Sequence, residues 1–420
     1  MKRGFYTIMA AQFFSSLADN ALLIAAIVLL TQIDAPEWMT PLLKLFFVLS
    51  YVILAAFVGA FADSLPKGRV MFITNMIKIF GCSLMFFNVH PLFAYAIVGF
   101  GAAAYSPAKY GILTELLPAE KLVVANGWIE GLTVSSIILG TLLGGQLTSN
   151  FVSQALLSIN FPLIDFPIHT PAQAALCIIT AIYLLAALFN LHIPDTGARY
   201  DHQKRRPLAL INDFAHCVKI LWKDKLGQIS LAVTSLFWGA GATLQFLVLH
   251  WAFESLNMPL DKATTLQGVV AVGIAIGSIA AARFIPLKRS LSVMPLGVAM
   301  GLVVMSMVFV HSTFFAYPLL ILVGILAGFF VVPMNALLQH RGHVLMSAGH
   351  SIAVQNFNEN IAILVMLAVY SIMLSFNLNI NVIIVAFGFF VSACMYLVIQ
   401  RHKNNQKEFD AVALIGEQRH

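Results

Sequence analysis

A chain of 420 residues that is 60% hydrophobic and only 10% charged, with a mean hydropathy of +0.88, is not a water-soluble globular protein. Soluble domains carry about 25% charged residues, and a chain that lives in lipid omits them because each is costly in hydrocarbon. The formal net charge of +6 does not point to nucleic acid: the basic residues are scattered through short loops, which membrane orientation explains.

In chain order, Lys2-Arg3 precedes an apolar run that continues to about Leu30. That run is too long for a cleaved signal and reads as a retained first span over 7–32. Further apolar stretches long enough to cross about 30 Å of hydrocarbon follow at 41–62, 70–88, 91–114, 122–148 and 170–193. After a polar break come 227–253, 263–283, 291–310, 313–338, 344–374 and 379–400.

The connecting stretches alternate in charge. Residues 33–39 hold Asp34 and Glu37 but no Lys or Arg, and 89–90, 149–169, 311–312 and 375–378 also lack them. Lys67, Arg69, Lys121, Lys288, Arg289, Arg341 and the tail from Arg401 fall on the opposite side. The positive-inside rule then places both termini and the 194–226 segment in the cytoplasm. The expected layout is an N-terminal half over 1–193, a linker over 194–226, a C-terminal half over 227–400 and a tail over 401–420. The linker carries Arg199, Lys204, Arg205, Arg206, Lys219, Lys223 and Lys225. Topology accounts for these charges, and such a strip also attracts anionic lipid at about 1 kcal/mol per residue.

The halves resemble each other. Pro107 and Lys109 in the fourth span correspond to Pro333 and Asn335 in the tenth, and Asn126 and Glu130 in the fifth to Gln355 and Glu359 in the eleventh. Two six-helix repeats are the pattern of major facilitator transporters, whose substrate site lies near the membrane midplane. The expected fold class is an all-α membrane protein of twelve transmembrane helices in two six-helix pseudo-repeats.

Between spans two and three, Gly59-Ala60-Phe61-Ala62-Asp63 followed by Lys67-Gly68-Arg69 resembles the major facilitator signature loop, with an added residue and Pro66 inside it. Asp63 is expected to pair with a nearby arginine or cap a helix, and so, with Lys67 and Arg69, to latch that face. The second half has Gly277, Ala281, Pro286, Lys288 and Arg289 but no equivalent aspartate.

Charges inside spans are candidates for function by default. Glu130 lies nine residues past Lys121, roughly 13 Å into the membrane at 1.5 Å per residue. Glu359 falls at a comparable level, Asp19-Asn20 interrupts the first span, and Lys78 and Lys109 are the basic counterparts. Glu130 and Glu359 read equally as acids that tie one half together by hydrogen bonds and as ligand-facing groups. Lys109 either snorkels to the surface or serves substrate or gate beside Pro107 and Tyr110. Gly127-x-x-x-Gly131, Gly140-x-x-x-Gly144, Gly273-x-x-x-Gly277 and Gly324-x-x-x-Gly328 read as close-packing faces. His250 and His350 lie near or within spans and can titrate. Cys82, Cys177, Cys217 and Cys394 show no metal or redox spacing. No acyltransferase box, P-loop or nucleophile elbow occurs, so neither enzyme chemistry nor a cofactor is expected.

Several stretches together resemble the bacterial lysophospholipid transporter family. They are Phe14-Ser15-Ser16-Leu17-Ala18-Asp19-Asn20-Ala21-Leu22-Leu23, Ala62-Asp63-Ser64 with Lys67-Gly68-Arg69-Val70-Met71, and the most specific, Gly101-Ala102-Ala103-Ala104-Tyr105-Ser106-Pro107-Ala108-Lys109-Tyr110-Gly111. Also matching are Ala125-Asn126-Gly127 with Glu130, Thr234-Ser235-Leu236-Phe237-Trp238-Gly239, Pro333 with Asn335, and Ile352-Ala353-Val354-Gln355-Asn356. The resemblance implies movement of lysophosphatidylethanolamine and lysophosphatidylglycerol from the outer to the inner leaflet of the inner membrane. A separate cytoplasmic acyltransferase/acyl-carrier-protein synthetase then restores the second chain. It implies a monomer whose substrate site includes Asp19, Asn20, Tyr105, Lys109, Glu130, Trp238, Gln245 and Glu359, with no metal. Gln245 stands where the family often has an arginine, which shifts phosphate binding towards Lys109 or Lys78. The alternatives are a proton-coupled exporter of drugs or other amphipaths, using Asp19, Glu130 and Glu359 as protonation sites, and a membrane enzyme or sensor.

Overall fold

The computed structural model describes residues 3–36, 39–148, 170–200, 206–258, 260–376 and 378–416; the expected outward stretch 149–169 lies outside them. The described residues form helices α1 (Arg3–Gln32), α2 (Met39–Ile53), α3 (Ala55–Ser64), α4 (Lys67–Phe86), α5 (Pro91–Leu116), α6 (Leu122–Leu147) and α7 (Pro171–Leu191). There follow α8 (Pro207–Lys223), α9 (Gly227–Leu256), α10 (Leu260–Phe284), α11 (Met294–Met305), α12 (Thr313–Leu345), α13 (Ala348–Ser375) and α14 (Ile380–Glu408). Only helices satisfy every backbone group in lipid without a closed barrel.

Among the described residues, ten helices are long and apolar enough to cross a membrane, and the α2–α3 pair makes an eleventh. Helix α5 has the length for another, although Pro107 and Lys109 interrupt its apolar run. Each of the twelve expected spans therefore has a helix. The protein is a multi-pass membrane protein.

The helices depart from the expected spans at three places. The span expected over 41–62 is broken at Leu54, where α2 and α3 meet at 66°. Helix α12 runs on to Leu345, which places Arg341 inside a helix and 3% exposed instead of in a loop. Its guanidinium donates to both oxygens of Asp224 at 3.2 and 2.7 Å, so the buried charge is paired. The tail from Arg401 continues α14 as far as Glu408.

Contacts group the chain into two units, one of residues 1–112 and 135–211 and the other of 113–134 and 212–420. In the first, α1 and α4 both pack on α7, around Leu22, Ala25, Ala26, Cys82, Ile179 and Tyr183. Thr170 starts α7 with a reciprocal capping box to Gln173, and Pro171 occupies the first turn. Gly140 and Gly144 let α6 lie on α1: a Cβ there would stand 2.6 Å from the Leu17 carbonyl oxygen and 2.8 Å from that of Ala21.

In the second unit, α10 and α12 form the most extensive helix pair. The expected Gly273/Gly277 and Gly324/Gly328 faces meet there, and a Cβ at Gly277 would overlap the Ile325 carbonyl oxygen. The Gly127/Gly131 motif is half used: Gly127 abuts Ala282, whereas Gly131 opens onto space. Spacing alone did not separate those cases.

Candidate functional site

Each unit holds a polar cluster among apolar helices. In the first, Ser15 and Asp19 lie one turn apart on α1, and Asn75 and Lys78 one turn apart on α4, so each pair shares a helix face. The Lys78 ammonium donates to Asp19 Oδ2 at 2.8 Å and to Ser15 Oγ at 3.0 Å. Ser15 passes its proton to Asn75 Oδ1 at 2.8 Å, and the Tyr183 hydroxyl of α7 donates to Asp19 Oδ1 at 2.6 Å. The ammonium also lies over the Tyr105 ring, 4.9 Å from its centroid, and 5.8 Å from that of Tyr183.

Gly101 makes room for this arrangement. A Cβ there would stand 2.8 Å from Lys78 Cγ. Lys78 is 1% exposed, whereas the Asp19 side chain is 18% exposed. The cation is thus sealed and the carboxylate is the accessible end of the pair. Cation and anion balance, so the cluster matches a zwitterion better than a lone charge of either sign.

The remaining residues expected at a site in this unit are placed separately. Asn20 donates its amide back to the Ser16 carbonyl at 2.8 Å. Lys109 is half-buried, with its ammonium 4.4 Å from the Tyr110 ring centroid. In the signature loop Asp63 pairs with Lys67 at 2.6 Å, not with an arginine, and both side chains are buried. Lys67 also donates to the Ala62 carbonyl at 2.8 Å and lies over Tyr200 at 5.0 Å, while Arg69 is exposed.

In the second unit, Asn126 and Gln339 exchange amide hydrogen bonds at 2.8 and 2.9 Å. Asn335 donates towards Glu130 Oε1 at 3.4 Å, and Gln355 bridges Asn335 Oδ1 at 3.1 Å and Glu359 Oε1 at 2.8 Å. Of the amide-and-acid pairs that looked alike in sequence, Glu130, Gln355 and Glu359 join through Asn335 in one network across α6, α12 and α13, while Asn126 pairs separately with Gln339. Gln245 pairs with Gln267 of α10 at 3.1 Å, and Trp238 is half-buried, edge-on to Phe237 at 5.5 Å.

Sequence reasoning passed over Ser15, Asn75, Tyr183 and Gln339 as cluster members. Asn75 carried a usable signal, an amide one turn before Lys78 in an apolar span. Tyr183 carried none, since a tyrosine in an apolar helix is unremarkable until its partner across the fold is known.

Apolar helices for every expected span, with paired charges buried among them, fit a membrane transporter, and the chain belongs to the major facilitator superfamily: residues 8–366 match the model described as Major Facilitator Superfamily. The fold agrees with that of FucP, a transporter of this superfamily in the outward conformation, with a TM-score of 0.72 at 15% identity over 96% of this chain and 98% of that one. A bacterial homologue of the iron transporter ferroportin in its outward-facing state gives 0.70 at 13% identity over 97% and 100%. Within the superfamily, the chain belongs to the lysophospholipid transporter family. It is 44% identical over 374 residues to the lysophospholipid transporter LplT of Yersinia enterocolitica, covering 89% of this chain and 87% of that protein. It is 43% identical over the same extent to LplT of Yersinia pestis.

Proposed function

We propose that this protein moves lysophospholipid, chiefly lysophosphatidylethanolamine and also lysophosphatidylglycerol, from the outer to the inner leaflet of the bacterial inner membrane. Family membership supports the substrate class. The observation that carries the head-group assignment is the Asp19–Lys78–Tyr183 cluster. An ethanolamine ammonium competes with Lys78 for Asp19, and the phosphate then takes the released Lys78 ammonium. The internal ion pair thus exchanges for two pairs with the head group. With an ethanolamine head each charge keeps a partner throughout, which avoids the large penalty of stranding one in a dry site; a glycerol head offers Asp19 only hydroxyl groups, which makes it the lesser substrate. The single acyl tail stays among apolar helices or in lipid, where it loses nothing by leaving water.

In this reading both termini and residues 194–226 face the cytoplasm, and the halves 1–193 and 227–400 are the moving bodies. Asp63, Lys67 and Arg69 latch the cytoplasmic face. The protein acts as a monomer and as a carrier, with no covalent step of its own. The delivered lysolipid is substrate for a separate cytoplasmic acyltransferase/acyl-carrier-protein synthetase. Asn20, Tyr105, Lys109, Trp238 and Gln245 contribute to the substrate path.

A panel of labelled lysolipids differing only in head group, assayed in proteoliposomes, tests the proposal. Uptake should favour ethanolamine and glycerol heads, and a flat response across heads would refute it. The proton-coupled reading draws on Asp19, Glu130 and Glu359 as protonation sites; Asp19 pairs with Lys78, and Glu130 and Glu359 hydrogen-bond amides. Collapse of the proton gradient separates the two: lysolipid uptake should persist, and proton-coupled export should stop.

A further inference from the structure

The linker helix α8 presents two faces. Phe214, Cys217 and Leu221 are buried. The helix seats on the first half of α13: the Phe214 and Phe357 rings meet edge-on at 5.3 Å, Asp213 stands 3.5 Å from His350 Nε2, and Trp222 Nε1 donates to Asn358 Oδ1 at 3.2 Å. A second stripe, Leu208, Ile211, Ala215, Val218 and Trp222, recurs at the spacing of one helix face. Apart from the Trp222 contact with Asn358 at its edge, it has no such cover among the described residues: Leu208 is 77%, Ile211 45% and Trp222 42% exposed. Lys219 and Lys223, both exposed, border it.

Depth identifies the occupant. Asn358 lies sixteen residues before Leu374 near the end of α13, about 24 Å at 1.5 Å per residue. Against a hydrocarbon core of about 30 Å, Trp222 is therefore held at the hydrocarbon boundary, where tryptophan side chains concentrate. An apolar stripe at that level, edged by lysines and turned outward, fits lipid rather than water.

We propose that α8 is an interfacial helix whose Leu208–Trp222 stripe sits in the inner leaflet and whose Lys219 and Lys223 bind anionic phospholipid head groups. Assignment to the inner leaflet rests on the topology proposed above, while contact with anionic lipid does not. The helix acts as a lipid-facing strap between covalent halves, and it selects the head groups around the side of the protein where lysolipid is released.

The test uses the full-length protein in nanodiscs of phosphatidylcholine, into which brominated phosphatidylcholine or brominated phosphatidylglycerol is titrated. Trp222 emission is read as wild type minus Trp222→Phe. Brominated lipid should quench it and aqueous acrylamide should not. Phosphatidylglycerol should act at lower mole fraction, by about fivefold per lysine, and Lys219→Gln/Lys223→Gln should abolish that advantage. Quenching by acrylamide alone would make the stripe a water-facing or protein-docking surface and overturn the proposal. Equal action of the two lipids would overturn anionic selection. Should Trp222→Phe fail to fold, a nitroxide on Ala215→Cys supplies the same answer: oxygen should relax it more than a water-soluble nickel chelate, and the reverse order refutes lipid contact.

Discussion

The two buried clusters solve the same problem by different means. In the first unit a carboxylate is balanced by a lysine, with Tyr183 and Ser15 filling the remaining hydrogen bonds. In the second, Glu130 and Glu359 meet the amides of Asn335 and Gln355. A charge-balanced pair with one accessible end can trade partners with a ligand that carries both signs. The amide hydrogen bonds of Glu130 and Glu359 tie α6, α12 and α13 together. On the proposed function, the first cluster recognises the head group, and the second holds its helices in register.

The sharpest way to break this contrast is at Lys78. Lys78→Ala leaves Asp19 without its cation and should destabilise the protein by roughly 3–5 kcal/mol, as expected on removing one partner of a buried pair. Thermal unfolding in detergent measures the loss. The double variant Asp19→Asn/Lys78→Met should recover most of the stability and none of the uptake. Recovery of uptake would show that the pair serves the fold alone.

Next in size is the contact between α10 and α12. Gly277→Leu should prevent their close approach and cost about 1–3 kcal/mol or more in folded yield, whereas Gly131→Ala, which meets open space, should be silent. Equal effects at both would refute the packing described for the glycine motifs. Glu359→Gln keeps the hydrogen-bonding outline and removes the charge, so lysolipid uptake should stay near wild type. A severe loss would move substrate recognition or proton coupling into the second cluster. The smallest expected effect is at Gln245, which pairs with Gln267. Gln245→Arg should alter head-group preference without altering stability, and unchanged selectivity would remove position 245 from the substrate path.

Much of this was legible in the chain because lipid enforces a simple code. Apolar stretches gave the spans, and a charge inside one is conspicuous: Asp19, Lys78, Glu130 and Glu359 all stood out against their surroundings. Their partners did not. Tyr183 lies 164 residues from Asp19 and Gln339 lies 213 from Asn126, so only tertiary packing reveals the contacts. The break at Leu54 has no proline or glycine at the bend itself to announce it. Arg341 looked like a loop charge because its burial depends on Asp224, more than a hundred residues earlier, which also accepts from the Gly227 N–H at the start of α9.

The most direct measurement is uptake of labelled lysophosphatidylethanolamine by proteoliposomes holding equal amounts of folded wild type and Asp19→Asn. An amide at position 19 still accepts a hydrogen bond from Tyr183 but offers the ammonium no charge. Uptake per folded molecule should fall well below wild type, and the unfolding temperature should drop as well, because the sealed Lys78 ammonium loses its anion. Wild-type uptake in the variant would contradict the exchange of ion pairs on which the account rests.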